Sequence, residues 1–386
     1  MNADETTRVL VLSYWNLNSP AFGGGTRIMA LLRSLGPRAV LCQPAPRHPD
    51  VESRTYAIDL GRRKRAGINW GMFNGFLPFN RRTIRRAIRE IRPAVIVHTS
   101  MWTHAVTRGM RGLPPMMLDA HDVNAVAIAE RYGPWHGATR LVRRWESRTV
   151  RDMTHVFACS SRDREDFIRM YGVSASSVSV VPNGVEIETG AVAVPALPAR
   201  AEQAVGGRHP LLFMGKLDYQ PNREALDFLS RRLMPELEAA APGVFCLLVV
   251  GGPVPEGEFH PAIIFSGRVP SVAPWLARAE ICLAPIFSGS GTRLKILEYM
   301  AARKPVIATP KGAEGIEATP GRDLLLAEQD RFAEGVLRLH GDPDLARRVA
   351  DAGRALVALR YSWDASRELW MRVIGPGRNA SAAGQR

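Results

Sequence analysis

Cysteine is scarce in this chain: four thiols among 386 residues, at Cys42, Cys159, Cys246 and Cys282. Each lies in or beside an apolar, strand-like run, and no Cys-x-x-Cys spacing occurs. A zinc site and a disulfide framework are therefore not expected; buried free thiols in a reducing compartment are. Histidines are few and scattered, and those such as His340 lack the spacing of zinc ligands. No apolar run is long enough to span a bilayer. The first residues, Met-Asn-Ala-Asp-Glu-Thr-Thr, are acidic and polar, without the basic and apolar regions of a secretory signal. The expected location is the cytoplasm, which makes the glycosylation triplet Asn379-Ala380-Ser381 moot. The dinucleotide fingerprint Gly-x-Gly-x-x-Gly is missing as well. Acidic residues are the scarcer charge, 37 against 51 basic ones, for a net charge of +14. That balance favours an anionic partner: a nucleotide diphosphate, an anionic lipid surface or nucleic acid.

What is present argues for two globular domains. The length suits two rather than one, and 46% hydrophobic with 23% charged residues is a globular composition. Short apolar runs at 8–13, 39–42, 94–98, 116–118, 154–158 and 178–181 alternate with helical patterns. The alternation resumes at 210–214, 245–250, 262–265, 281–284, 305–308 and 323–326. Strand–helix alternation of this kind predicts two parallel-sheet α/β domains. Residues 189–208 are rich in Ala, Pro and Gly and lack helical periodicity, so they read as a linker between domains 1–188 and 209–360. A last helix is expected over 361–374 and a frayed tail over 375–386. The first strand leads through a loop to Gly23-Gly24-Gly25 and a helix from about Thr26, a Rossmann-like opening. Asp342-Pro343-Asp344 imitates a metal-binding Asp-x-Asp, but Asp342 before Pro343 is better read as a helix cap.

The densest chemistry lies in residues 285–310. Gly289 and Gly291 flank Ser290, and Leu294, Leu297 and Ala301 then recur at helical spacing. Gly291, Lys295 and Glu298 fall on another face of that helix. A glycine loop entering a helix presents backbone N–H groups and the positive end of a dipole, which suits a phosphate. Lys295 adds a cation, and Glu298 can accept hydrogen bonds from hydroxyls. A diphosphate with sugar hydroxyls is the chemistry of a nucleotide-sugar; a plain tight turn is the competing reading.

The run Gly-Thr-Arg-Leu-Lys-Ile-Leu-Glu, followed by Lys-Pro-Val-Ile-Ala-Thr, resembles the donor-site signature of the retaining glycosyltransferase family 4, of GT-B fold. The resemblance covers nearly all of the chain and is strongest over 211–310. It implies two Rossmann-like domains facing a cleft, with acceptor held by the first and a UDP-, GDP- or TDP-linked sugar by the second. It implies that the backbone of Ser290, Gly291 and Thr292 meets the diphosphate, with Arg293 or Lys295 as cation and Glu298 on the ribose. Gly24 and Gly25 would lie near the donor phosphate, Gly215 and Lys216 would follow the second domain's first strand, and Gly267 and Arg268 would lie against the base. His121, in Asp119-Ala120-His121-Asp122 at the end of a strand, would contact the transferred sugar. A capping role for Asp122 on the helix through 125–132 is the alternative for that motif. No metal and no cofactor is expected beyond the co-substrate. One departure stands out: where many members carry a second glutamate, eight positions before Glu298, this chain has Ser290.

Residues 62–92 hold ten basic residues and one acid, Glu90. Arg62, Arg63, Lys64, Arg65, Arg82 and Arg85 are interleaved with rings, Trp70 and Phe73 among them. Basic clusters beside aromatics suit an anionic membrane surface on the inner face of the cell membrane, or a lipid-linked acceptor; a solvated helix face and nucleic acid are the alternatives. For the chain as a whole, a nucleotide-sugar 2-epimerase on the same fold and a non-catalytic basic protein binding membranes or nucleic acid compete with glycosyl transfer.

Overall fold

Parallel strands covered on both faces are predominantly apolar, as Val9–Leu12, Phe245–Val250 and Ile281–Ala284 are. The computed structural model describes residues 8–18, 23–44, 55–58, 64–65, 68–69, 77–187, 196–289 and 293–375. These divide into two units, residues 1–183 with 363–386 and residues 184–362.

The first unit opens with Val9–Leu12 (β1), every residue buried, followed by helix Gly23–Leu35 (α1) and strand Ala39–Gln43 (β2). Thr55–Ala57 (β3) was not foreseen, and Lys64–Arg65 (β4) pairs antiparallel with Ile68–Asn69 (β5). Next come Pro78–Ile91 (α2), Val95–His98 (β6), His104–Thr107 (α3), Met116–Asp119 (β7), Asn124–Tyr132 (α4) and Gly137–Asp152 (α5). His155–Ala158 (β8), Ser161–Tyr171 (α6) and Val178–Val180 (β9) complete the run. The seven-stranded sheet has the order β3-β2-β1-β6-β7-β8-β9, with its paired strands parallel. Strand order therefore reverses between β1 and β6, and in open α/β sheets the ligand crevice forms beyond the strand C-termini at such a point. The glycine triplet is not a loop: Gly23, Gly24 and Gly25 form the first turn of α1. Glycine permits unusual backbone but does not impose it.

The second unit starts with Ala199–Val205 (α7), inside the stretch expected to be linker. Ala201 and Val205 are buried, so a short apolar stripe outweighs the linker-like composition. His209–Met214 (β10) leads to Gln220–Phe228 (α8), which passes through a π-helical turn, Leu229–Leu233, into Met234–Ala240 (α9). Phe245–Val250 (β11), Ile263–Gly267 (β12), Ala273–Arg278 (α10), Ile281–Ala284 (β13), Leu294–Ala301 (α11), Val306–Ala308 (β14) and Leu325–Leu326 (β15) follow. Phe332–Gly341 (α12) and Pro343–Arg360 (α13) close the unit. Asp342 caps α13 by accepting a hydrogen bond from Leu345 N at 2.9 Å, with Pro343 opening the helix, as its sequence context implied. The six-stranded sheet, β12-β11-β10-β13-β14-β15, reverses order between β10 and β13. All four cysteines are buried free thiols, two in each unit.

The final helix, Trp363–Ile374 (α14), packs on α1 and returns the chain to the first unit. Beneath it lies a fully buried ion pair. Arg27 on α1 donates from Nε and Nη2 to the two Asp119 oxygens at 3.0 and 2.6 Å, with neither side chain exposed. Its Nη1 donates to Val181 O at 2.8 Å and Asn183 Oδ1 at 3.1 Å. Trp370 Nε1 donates to Asp119 Oδ1 at 3.2 Å, and the Trp370 ring lies 5.1 Å from the guanidinium. Removing one partner of a buried pair strands the other's charge, at a cost of about 3–5 kcal/mol. We expect Arg27→Ala and Asp119→Ala each to lower the urea midpoint by that equivalent. Their double variant should fall short of the sum; additive losses would show that the pair is not coupled.

Candidate nucleotide-sugar site

In the second unit, the loops after β10 and β11 meet backbone to backbone. A Cβ on Gly251, at φ +135°, would sit 2.0 Å from Gly215 O, and one on Gly215 would sit 2.7 Å from Asn222 Nδ2. Only glycine fits at 251, where the clash is with backbone, while a side chain at 215 would displace the Asn222 amide. This crowding fixes Asn222 at the start of α8. Its Nδ2 donates to Lys216 O at 2.8 Å, and its Oδ1 accepts from Lys295 Nζ at 2.7 Å. Lys295 also lies 4.2 Å from the centre of the Phe213 ring. The helix that carries Lys295 is anchored from behind, where Tyr299 OH accepts from Met214 N at 2.9 Å.

Burial opposes charge on Lys295 and Glu298 of α11. It lowers the Lys295 ammonium to a pKa of about 7, aided by the neighbouring Arg293 charge and resisted by Glu298. It raises the Glu298 carboxyl to about 7, resisted by Lys295. An anion placed beside Lys295 restores its charge. A buried cation that lacks a full counter-charge is what an incoming diphosphate needs.

The other expected donor residues are differently disposed. Arg293 donates from Nη2 to Gly289 O at 2.6 Å and Ser288 O at 3.2 Å, so it braces the loop before α11. Ser288 in turn donates to Glu224 Oε2 at 2.5 Å. Lys216 is exposed and paired with Asp218 at 3.2 Å. Gly267 ends β12 and accepts a hydrogen bond from Gly251 N at 3.0 Å, while Arg268 is exposed beside it. Ser290, Gly291 and Thr292 lie outside the described residues. Sequence reasoning assigned Asn222 no role, although the Pro221-Asn222 pair that opens α8 was the available signal.

In the first unit, His121 follows β7 by two residues. Its ring meets Trp15 edge-on at 4.9 Å, and its Nε2 is shielded, without a hydrogen-bond partner among the described residues. Burial holds its pKa down at about 4, against the pull of Asp119, so the imidazole is neutral at pH 7. The segment is held from both sides. Asp119 anchors it upstream. Downstream, buried Glu146 on α5 accepts from Asn124 N and Nδ2 at 2.9 and 3.0 Å, from Ala125 N at 3.0 Å and from Tyr171 OH at 2.6 Å. Capping of α4 thus comes from Glu146; the capping alternative for Asp122 is not what the structure shows, since Val123 holds the cap position without a side-chain bond. Arg27 and Glu146 were not among the expected site residues, because their partners lie far away in sequence. Gly24 and Gly25 are placed inside α1.

Of the basic stretch, α2 is the described part with side chains. Ile84 and Ala87 are buried, while Arg82 and Arg85 are exposed, and Leu77 and Phe79 are 47% and 61% exposed. Arg62, Arg63, Trp70 and Phe73 lie outside the described residues, and Lys64 and Arg65 are described only as strand β4. Among the described residues, no helix is long and apolar enough to cross a membrane.

Residues 23–189 match the family model described as Glycosyltransferase Family 4, and residues 208–342 match the one described as Glycosyl transferases group 1. An alpha-maltose-1-phosphate synthase of Mycolicibacterium smegmatis is 26% identical over 88% of this chain and 90% of its own length. A D-inositol 3-phosphate glycosyltransferase of Kribbella flavida is 26% identical over 78% and 76%. Among solved structures, Anabaena HepE in complex with UDP aligns at a TM-score of 0.72 and 14% identity, over 95% of this chain and 99% of that one. With the two parallel sheets above, that likeness makes the fold GT-B.

The opposed titrations carry a stability consequence with a definite sign. Glu298 has a folded pKa of about 7, above the unfolded 4.5. The folded state therefore binds more protons between those values, and stability contributed at this site falls as pH rises from 4.5 to 7. We expect Glu298→Gln to raise Tm at pH 7, with the gain fading as pH falls toward 4.5. A gain that persists unchanged at pH 4.5 would refute the assignment.

Proposed function

This chain belongs to glycosyltransferase family 4, and from that premise we propose that it takes its sugar from a nucleotide diphosphate and passes it to an acceptor hydroxyl with retention, without a metal. The carrying observation is the part-buried Asn222–Lys295 hydrogen bond with Glu298 one helical turn along. As the bond from the anomeric carbon to the phosphate oxygen breaks, negative charge grows on the leaving diphosphate. A preorganised cation beside that charge lowers the barrier more than it lowers the ground state. Lys295 is that cation, Asn222 orients it, and Glu298 receives ribose hydroxyls. Arg293 acts through the loop it braces. His121, neutral and with a shielded ring nitrogen, hydrogen-bonds a hydroxyl of the transferred sugar. UDP, the nucleotide bound by Anabaena HepE, is the first nucleotide to try, and the phosphorylated compounds in the names of the curated relatives favour a phosphate-bearing acceptor.

The test is a panel of UDP-, GDP- and TDP-sugars, read as thermal stabilisation and as transfer or slow hydrolysis. We expect one nucleotide series to stabilise the protein and support turnover. Lys295→Ala should cut kcat/KM by about 10²–10³-fold. Interconversion of sugars without an acceptor would make the chain a 2-epimerase instead, and stabilisation by none of the panel would overturn the donor assignment.

A membrane-associated acceptor is favoured by one surface, α2, where exposed Phe79 and Leu77 adjoin exposed Arg82 and Arg85. Rings enter the interface while guanidinium groups meet lipid phosphates. The full chain should sediment with vesicles containing anionic lipid at low salt and be released as salt screens the contact. Phe79→Ser with Arg82→Glu should abolish sedimentation; equal binding to neutral vesicles would sink the idea.

A further inference from the structure

At the end of the second sheet opposite the donor loops, three side chains converge from distant parts of the chain. His209 is the first residue of β10, Glu280 immediately precedes β13, and His340 lies in the last turn of α12. His209 Nδ1 lies 2.5 Å from Glu280 Oε2, and His340 Nδ1 lies 2.7 Å from Glu280 Oε1. One potential ligand atom from each residue can be chosen so that all lie within 4.8 Å of one another. We propose that His209, Glu280 and His340 form a binding site for a divalent transition-metal ion, zinc foremost, at the base of this unit.

The chemistry of the donor set supports zinc. Two imidazoles and one carboxylate are an established zinc ligand set, with water as the fourth ligand, and imidazoles disfavour magnesium and calcium. Zinc–ligand bonds of about 2.0–2.2 Å place neighbouring ligands roughly 3.3–3.5 Å apart. The present Nδ1–oxygen separations need to open by about 1 Å or less, and the widest separation in the trio, up to 4.8 Å, needs to close by as much as about 1.4 Å. With its proton on Nε2, each ring offers the Nδ1 lone pair to the ion. The carboxylate and two neutral imidazoles then leave a bound zinc with one net positive charge.

The site is also held and accessible. Glu280 N donates to Pro210 O at 2.8 Å and His209 N to Val244 O at 2.8 Å, so two ligands stand on hydrogen-bonded strand starts. The Phe245 ring packs against His340 at 4.8 Å, which limits that imidazole's rotation. Side-chain exposures of 47%, 33% and 28% for His209, Glu280 and His340 leave an entry path from solvent. Six residues of strand separate this end of β10 from Gly215, about 20 Å at the usual rise. The ion would therefore be structural, joining β10, β13 and α12, and its existence does not depend on the donor assignment.

The full chain, stripped with chelator and desalted, is titrated with zinc chloride by calorimetry and followed by thermal denaturation. Cobalt(II) serves as a spectroscopic probe through its tetrahedral visible bands. We expect one zinc per chain and a Tm gain of about 5 °C or more at a hundredfold excess over Kd. Glu280→Gln and His340→Ala should each weaken binding at least tenfold while retaining the wild-type far-UV spectrum and UDP response. Should one variant fail to fold, the other still decides. Zinc binding that is undetectable in the wild type, or equal in the folded variants, would reduce the cluster to two rings hydrogen-bonded to one carboxylate.

Discussion

Neither Arg27 nor Asp119 has any contact with water, yet four segments of the first unit depend on their bond. A guanidinium has five N–H groups, and here they reach the carboxylate, the carbonyl of Val181 and the side chain of Asn183. Trp370 adds a donor to the same carboxylate and a ring against the cation. Such a pair offers little net stability over an apolar replacement, since both charges are desolvated. Its contribution is positional. It ties α1 to the end of β7, two residues before His121, and it ties the terminal helix to both. Glu146 does the equivalent on the other side of His121 by taking the free N–H groups of α4.

The second unit applies the same principle less completely. Lys295 donates one hydrogen bond to Asn222 and faces one ring, and its nearby carboxylate, Glu298, is itself pushed toward the neutral form by burial. Burial pulls its pKa down and that of Glu298 up until both approach neutrality. A fold selected only for stability would place apolar residues there. The tension between these groups is what a charged ligand relieves, so the site is least comfortable when empty.

Much of this was legible in the sequence because both sheets are parallel and buried. Runs such as Phe245–Val250 can serve as little else, and their alternation with helices leads to two α/β units. The segment ending in Glu298 was legible because a glycine loop, a lysine and a glutamate fall within a few turns. Contacts between remote positions were not. Arg27 and Asp119 are 92 positions apart, and His209 meets a glutamate 71 positions away. No local spacing rule reports such pairs, which is why scattered histidines read as unrelated. Composition misled in two places. Alanine and proline suggested a linker where α7 forms, and three glycines suggested a loop where α1 begins.

The π-helical turn Leu229–Leu233 joins α8 to α9 as one rod. Such a wide turn reads as a single extra residue accommodated within an α-helix. Leu226, Leu229, Leu233 and Leu237 are all buried around it, so the rod is gripped by the core on both sides of the irregularity. Loss of one residue there would convert the turn to ordinary helix and rotate one half against the other by about 100°. With α9 fixed in the core, the rotation would fall on α8 and carry the Asn222 amide away from Lys295. The helix is thus set like a key in a lock, with its phase recorded by a residue that touches no ligand. Chains otherwise identical around Asn222 and Lys295 could differ in that contact through the one insertion alone.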